Sequence, residues 1–446
     1  MSVSVSQIAG TGFLKKYPFM RAVQPFTGIV PDAQLQMPCD RTAEFFIGAT
    51  TLGDMTHVLP SVREFADDFA KGKLGGSGTS LDEDHASAVA VAEALERYCM
   101  VMLAERDVVE ASANELGAEA TDWRAFPAAS ENELADPKCP LRRFDPSAKI
   151  RWVRGWSLTH GRRTFVPLVM THLYLTLAQA ERFYLPISTG VSAHTDMRRA
   201  CVSAICEVIE RDAIALTWLG RLPLTRLEIE GDGPNEAAPE LAAARRRNAS
   251  YTFFDATTDL GIPTTLCIQS VPGHSRLAQL VSCATHFSPG VALSKAIREA
   301  ACVSTLFEEP AAVPGDVADF THLMHGSTYM ARPEQRHHFG FLLGAQHAAP
   351  LAHQPANLPH EPGAQLDHLR DLFRRKNMDV VLVDLTVDEV RRYGLSVVRA
   401  VIPALMPMTF THRARFLGHP RLYDYARSLG RALEERSVNS APMPFA

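Results

Sequence analysis

Three short stretches of this 446-residue chain carry residues whose types and spacing could do chemistry. Glu207, Glu210 and Arg211 stand at i, i+3 and i+4 in Ala200-Cys-Val-Ser-Ala-Ile-Cys-Glu-Val-Ile-Glu-Arg-Asp-Ala213. That spacing puts them on one face of a helix. Glu93, Glu96 and Arg97 repeat the pattern in Ala88-Val-Ala-Val-Ala-Glu-Ala-Leu-Glu-Arg-Tyr98. Lys295 and Glu299 lie one turn apart in Gly290-Val-Ala-Leu-Ser-Lys-Ala-Ile-Arg-Glu-Ala-Ala301. The surrounding residues are small or apolar, so the carboxylates sit on helices bound for the interior. Unpaired buried charge is costly. Five carboxylates brought together need a counter-charge. Hard divalent cations take oxygen ligands, and Mg2+ commonly arrives with phosphates. The chemistry implied is a Mg-nucleotide site on buried helices. Taken singly, each Glu–Arg set could be a local ion pair; two matching sets and a third polar helix favour convergence.

The elements that must position these residues follow from periodicity. Val202, Ile205, Val208, Ile209 and Ile214 recur at helical steps, with Thr195 and Asp196 as capping candidates. Ser80 and Glu83 suggest a capping box for the first helix, which should run on to Glu105. Gly72 to Ser80 reads as a Gly/Ser loop, with Gly75-Gly-Ser-Gly78 either a plain turn or a phosphate contact. Ser288-Pro-Gly290 starts the third helix. Residues 1–50 read as irregular, with a strand at Phe45 to Ala49, and residues 107–150 as a surface connection. Strands are expected over 151–158, 164–170, 250–255, 264–269, 277–283, 379–385 and 395–402, and further helices over 240–247, 366–375 and 423–436. Residues 309–365 read as a solvated loop. Its His337, His338, His347, His353 and His360 have no partners at ligand spacing, so metal binding is not expected there. The element order predicts one α/β domain with internal two-fold character and mixed sheets packed with the motif helices.

Composition sets the outer bounds. The chain is 46% hydrophobic and carries a net charge of −5, which gives no electrostatic footprint for nucleic acid. No apolar run has membrane-span length, and no signal peptide is legible. Eight scattered cysteines without a Cys-x-x-Cys suit small core residues in a reducing compartment, so a cytoplasmic location is expected.

The chain resembles the YcaO family, whose members use ATP and Mg2+ to activate a peptide-backbone amide. Gly76-Ser-Gly-Thr-Ser-Leu81 through Tyr98, Ser188-Thr-Gly-Val-Ser-Ala193 through Ala213, and Gly290 to Glu299 carry the resemblance, which spans about residues 60–446. Residues 1–59 form a separate N-terminal segment in this reading. The resemblance implies a YcaO-like fold around Mg-ATP. Metal would be held by Glu93, Glu96, Glu207, Glu210 and Glu299. ATP would be held by Ser77, Glu93, Arg97, Ser203, Glu207, Arg211 and Lys295. The tail, residues 439–446, adds a second signal. In the azoline-forming cyclodehydratase branch the chain ends in alternating prolines that reach the active site. Pro442-Met-Pro444-Phe-Ala446 resembles that ending with Ala in place of the last Pro, so Pro442, Pro444 and Ala446 are implied as catalytic.

The chain departs from the family at several positions. Val89 replaces a Ser, Thr195 and Arg199 replace an Asn and an acidic residue, Lys295 replaces Arg or Gln, and Ser77 stands where Lys is common. The implied activity is ATP-dependent cyclodehydration of Cys, Ser or Thr in a ribosomal precursor peptide to thiazoline or oxazoline. The alternatives are a thioamide-forming enzyme and a non-catalytic partner-binding scaffold. No leader-binding module is evident at the N-terminus. A leader-binding partner of the ubiquitin-activating, ThiF-like type is therefore expected, with an FMN-dependent dehydrogenase as a further candidate and a homodimer as the assembly.

Overall fold

Three sheets, each overlaid by one long helix, make up the computed structural model, which describes residues 2–4, 11–39, 44–57, 59, 74–103, 108–307, 312–351 and 358–445. Strands β1 (Ser2–Ser4), β2 (Asp32–Gln36), β3 (Phe46–Thr51) and β4 (Gly75–Ser80) form an antiparallel sheet in that order. Strands β5 (Val108–Ala111), β6 (Ile150–Ser157), β7 (Arg162–Pro167) and β8 (Val191–His194) begin a second sheet. The third comprises β9 (Thr225–Glu228), β10 (Ser250–Asp255), β11 (Thr264–Ser270), β12 (Gln279–Thr285) and β13 (Ala348–Pro350), ordered β12-β11-β10-β9-β13. Strands β14 (Val381–Asp384) and β15 (Ser396–Val401) complete the second sheet, ordered β5-β6-β14-β15-β8, with β7 also paired to β6.

The first motif helix, Glu83–Val101, lies on β3 and β4 and touches β8. The second, Met197–Gly220, lies on β15 and β8 and touches β12. The third, Pro289–Thr305, lies on β11 and β12 and touches β4. Each helix therefore covers its own sheet and meets the edge strand of the next. The expected two-fold rests on the two Glu-x-x-Glu-Arg helices; the third helix stands in the same relation to its neighbours, making a ring of three. Burial fixes the arrangement. Ile205, Ile209, Ile214 and Trp218 of the second helix are at most 2% exposed. Each such side chain contributes about 1.5–3 kcal/mol.

All three helices start at a side-chain cap. Asp82 accepts from His85 N at 2.7 Å, Asp196 from Arg198 N at 2.8 Å, and Ser288 from Val291 N at 3.5 Å. The expected Ser80–Glu83 capping box is replaced by Asp82, because Ser80 still belongs to β4. The first helix ends at Val101 rather than Glu105.

The expected Gly/Ser loop is corrected where it is described: residues 75–80 are strand β4. Its glycines let the first helix lie directly on the sheet. A Cβ on Gly76 would come 2.1 Å from Ala90 O, and one on Gly78 would come 2.2 Å from Ala86 O. Residues 1–50, read as irregular, supply β1, β2 and β3, so the boundary at 59/60 falls inside one sheet. Residues 107–150 contain β5, two capped short helices, and Phe126 and Phe144, which cluster with Phe183 from farther along the chain. The described part of 309–365 includes helix Leu323–Met330 and β13; His353 lies outside the described residues. The last helix is Pro420–Ser428, shorter and earlier than expected. Six cysteines are buried, as expected of small core residues. No helix among the described residues is long and apolar enough to cross a membrane.

Candidate functional site

The ring of helices closes around a cavity of about 570 Å³. Glu93, Glu96, Glu207, Glu210 and Glu299 all line it, with Ser77, Ser203, Arg211 and Lys295. Nine of the ten site residues named above outside the tail thus meet in one place. Arg97 does not line the cavity. Its Nη2 donates to Glu93 Oε1 at 2.7 Å, so it braces that carboxylate from behind. His85, Arg298 and Cys302, not singled out from the sequence, also face the cavity. Arg298 was legible in principle, one residue before Glu299 in the third motif.

The edge strands explain how the carboxylates are held. Strands β4, β8 and β12 each end a sheet and leave backbone N–H groups without a ladder partner on one side. Ser77 N of β4 donates to Glu93 Oε2 at 2.6 Å, and Ala193 N of β8 donates to Glu96 Oε2 at 3.0 Å. Gly190 N, just before β8, donates to Glu207 Oε2 at 3.0 Å. Thr285 N of β12 donates to Glu210 Oε2 at 3.0 Å. Each glutamate of the two matching helices therefore seals one sheet edge with one oxygen; the second oxygen of Glu93 is taken by Arg97, and those of Glu207 and Glu210 face Arg211. Gly190 is dictated by this geometry: its φ is +82°, and a Cβ would meet Val208 Cγ2 at 2.6 Å.

The electrostatics call for a cation. Five glutamates face three cationic side chains, Arg211, Lys295 and Arg298. Burial, reinforced by Glu207 and Glu93, pushes the Glu96 carboxyl well above its ordinary range. Burial also raises Glu210, and burial together with Glu210 raises Glu299 to about 8. Arg211 spans Glu207 and Glu210 at 3.5 and 3.6 Å, too far for short hydrogen bonds. Burial opposes its charge, but Glu210 and Glu207 outweigh that and raise its pKa. Among the described residues no three His, Cys, Asp or Glu side chains form a metal cage. That donor set suits Mg2+, which keeps waters and shares phosphate oxygens, better than a metal bound by protein alone.

The substitutions at the site fall as follows. Val89 lines the cavity. Arg199 does not: it is exposed on the first turn of the second helix, where its N–H meets Asp196 Oδ1 at 3.3 Å.

The tail lies outside this cavity, alongside the later turns of the second helix. Trp218 Nε1 donates to Ala441 O at 3.2 Å, and Arg415 Nη1 donates to Asn439 O at 2.8 Å. Phe445, 2% exposed, packs in the core cluster of Ile214, Trp218 and Met408. Pro442 walls a small pocket with Trp218 and Pro407, and Pro444 is buried. Ala446 lies outside the described residues.

The profile described as YcaO cyclodehydratase, ATP- and Mg2+-binding, matches residues 77–406. The chain belongs to the YcaO family. A heterocyclase solved with substrate and cofactor superposes with a TM-score of 0.79 at 22% identity, over 97% of this chain and 57% of that one. The YcaO protein of Methanopyrus kandleri bound with AMPPCP and Mg2+ gives 0.60 at 15% identity, over 88% and 89%. The E. coli microcin synthetase McbBCD complex gives 0.64 at 15%, over 95% and 99%. These likenesses establish the YcaO fold. An uncharacterized protein in the tfuA 3' region of Rhizobium leguminosarum bv. trifolii is 28% identical over 236 residues, half of this chain and 53% of that protein. The chain thus spans about half the length of that curated relative.

Proposed function

We propose that this YcaO chain is an ATP-dependent cyclodehydratase that forms azoline rings in a ribosomal precursor peptide. One observation carries the reading: three helices from three sheets bring five glutamates to one cavity, with too few cations to balance them. In a net reaction the Cys, Ser or Thr side chain bonds to the preceding carbonyl carbon, the amide oxygen leaves as phosphate, and ATP becomes ADP. Mg-ATP supplies the phosphoryl group that turns that oxygen into a leaving group.

The protein's own residues position and balance charge. Glu93, Glu96, Glu207, Glu210 and Glu299 would hold Mg2+ or order its waters. Arg211, Lys295 and Arg298 would face phosphate oxygens, and Ser77 and Ser203 border the same space. Arg97 would fix Glu93. Burial of Pro442, Pro444 and Phe445 beside the second helix would stiffen the ground next to the reacting groups. Arg199, a cation exposed on the first turn of its helix, cannot stand in for the missing acid, so Glu207 and Glu210 would carry more of the metal's charge.

A precursor peptide and a leader-binding partner complete the system. The matched microcin synthetase chain has nearly this length and belongs to a complex, which supports a partner-dependent enzyme. A dehydrogenase and a homodimeric assembly are parts of the same proposal. The test is phosphate release and peptide mass with Mg-ATP, with and without a leader-binding partner. The expected product has lost one water. Exchange of oxygen for sulfur would instead show thioamide formation, and no peptide-dependent phosphate release would leave only a scaffold.

A further inference from the structure

The tail and the helix Leu323–Met330 touch backbone to backbone. Gly326, buried in the middle of that helix, faces Met443 of the tail. A Cβ on Gly326 would stand 2.1 Å from Met443 O, 3.2 Å from its C and 3.6 Å from its N. Real Cβ atoms stay beyond 3.0 Å. Any other residue here would therefore drive the tail's carbonyl back by about 1 Å. The glycine does not serve the helix itself. In a helix interior it is less favourable than every residue but proline, and this helix is only eight residues long. What it supplies is the close approach.

The tail has little freedom to absorb such a shift locally. Asn439 N donates to Leu219 O at 2.8 Å, and Asn439 Nδ2 donates to Trp218 O at 3.0 Å. With the bond from Trp218 Nε1 to Ala441 O, these tie the start of the tail to the end of the second motif helix. Met443 stands between Pro442 and Pro444, which fix their own φ and bias the residue before each towards extended backbone. A push at Met443 O therefore passes on to Pro444 and Phe445. Phe445 shares a core cluster with Ile214, Cys283 and Met330, the last from the same short helix as Gly326. Ile214 lies one turn beyond Glu210 and Arg211 on the second motif helix. Cys283 lies on β12, two residues before Thr285, whose N–H holds Glu210. The short helix thus sets where the tail meets the two elements that hold Glu210.

We propose that helix Leu323–Met330 is the seat of the tail and that Gly326 is a positioning residue for ring formation. Its missing side chain lets Met443 pass, and this fixes Pro444 and Phe445 against the elements that hold Glu210. The inference rests on the cyclodehydratase reading above. It gives part of the segment 309–365, which reads from sequence as a solvated loop, a task in the reaction.

The experiment is a double-mutant cycle between Gly326→Ala and deletion of Pro442 to Ala446. It is read by thermal melting, Mg-AMPPCP affinity and phosphate release with the cognate precursor peptide and leader-binding partner. In the full chain Gly326→Ala should lower kcat about 10- to 100-fold, the scale of a 1 Å misplacement. Mg-AMPPCP affinity should stay within about threefold. The melting temperature should fall. In the chain ending at Ala441 the same substitution should raise it, because the opposing carbonyl is gone and Ala favours the helix. Equal melting shifts in the two chains overturn the contact. A lower melting temperature with wild-type kcat in the folded enzyme overturns the positioning role and leaves Gly326 merely structural. Should Gly326→Ala not fold in the full chain, Pro444→Ala decides. It keeps Gly326 but frees Met443, and should lower kcat about tenfold at unchanged nucleotide affinity; wild-type turnover there overturns the proposal. A wild-type enzyme that releases no phosphate with peptide overturns the cyclodehydratase reading and this role with it, while the melting cycle still decides the contact.

Discussion

The first and second motif helices carry the same Glu-x-x-Glu-Arg spacing but use it differently. In the first, Arg97 is committed to Glu93 at 2.7 Å and turns its back on the cavity. In the second, Arg211 stands 3.5 and 3.6 Å from Glu207 and Glu210 and walls two cavities at once. One copy of the motif has become a brace, and the other a wall of the nucleotide cavity. Identical spacing fixes which face of a helix the charges occupy; the sheet beneath decides what that face meets.

The sharpest way to break this comparison is to remove each arginine. Arg211→Gln removes the cation that spans buried Glu210 and half-buried Glu207, which should destabilise the fold by about 3 kcal/mol. It should also abolish turnover. Arg97→Gln breaks a partly exposed pair and should cost about 1 kcal/mol. Thermal unfolding and phosphate release on both variants check the contrast. Equal effects at the two positions would erase the distinction between brace and wall.

Next in size is the tail, which is anchored to the second helix and not to the first. Deleting Pro442 to Ala446 removes the buried Phe445 from its contacts with Ile214, Trp218 and Met408. The cost should be about 3 kcal/mol, in the range for loss of a core aromatic. Ring formation should also fall sharply. Appending residues after Ala446 spares Phe445 and isolates the terminus: stability and Mg-AMPPCP affinity should hold while ring formation drops. Peptide mass shift at the wild-type rate in the extended chain would remove the tail from the mechanism.

A smaller effect is expected from pH. Burial and Glu210 hold Glu299 at about 8 in the ligand-free protein, above its unfolded value. The folded state then binds more protons than the unfolded state between those values, so ligand-free stability should fall as pH rises from about 5 to 8. Mg2+ favours the ionised carboxylates, so nucleotide binding at pH 7 should release protons and flatten that decline. Calorimetry in buffers of different ionisation enthalpy, with melting curves across pH, measures both. Binding without proton release would show that these carboxylates are already ionised.

Much of this site was legible because chemistry left traces in local spacing. Glutamates at i and i+3 among Ala, Val and Ile announce charge on a buried helix face, and all four of them, with Glu299, do share one cavity. What sequence withheld was set by contacts distant along the chain. Gly76 and Gly78 looked like a loop because glycine favours turns. They are in a strand because the first helix leaves no room for a Cβ. Arg97 looked equivalent to Arg211 because nothing local distinguishes them. Arg399 carried no signal at all: it is a single cation in a β-strand, and only the fold shows it buried beneath the second motif helix. The residues before β4 looked irregular because their strands are short and pair mainly with one another and with β4.

The central claim is that the glutamates of the three-helix cavity hold a Mg-nucleotide. Titration calorimetry with Mg-AMPPCP on folded Glu207→Gln and Glu210→Gln tests it most directly. Each replacement keeps the side chain's shape and its carbonyl acceptor for Gly190 N or Thr285 N. Each removes only the charge, and each should weaken binding by about 1–3 kcal/mol, the range for a lost charge-assisted contact. Wild-type affinity in both variants would mean that these carboxylates only seal sheet edges, and that the nucleotide, if bound, is held elsewhere.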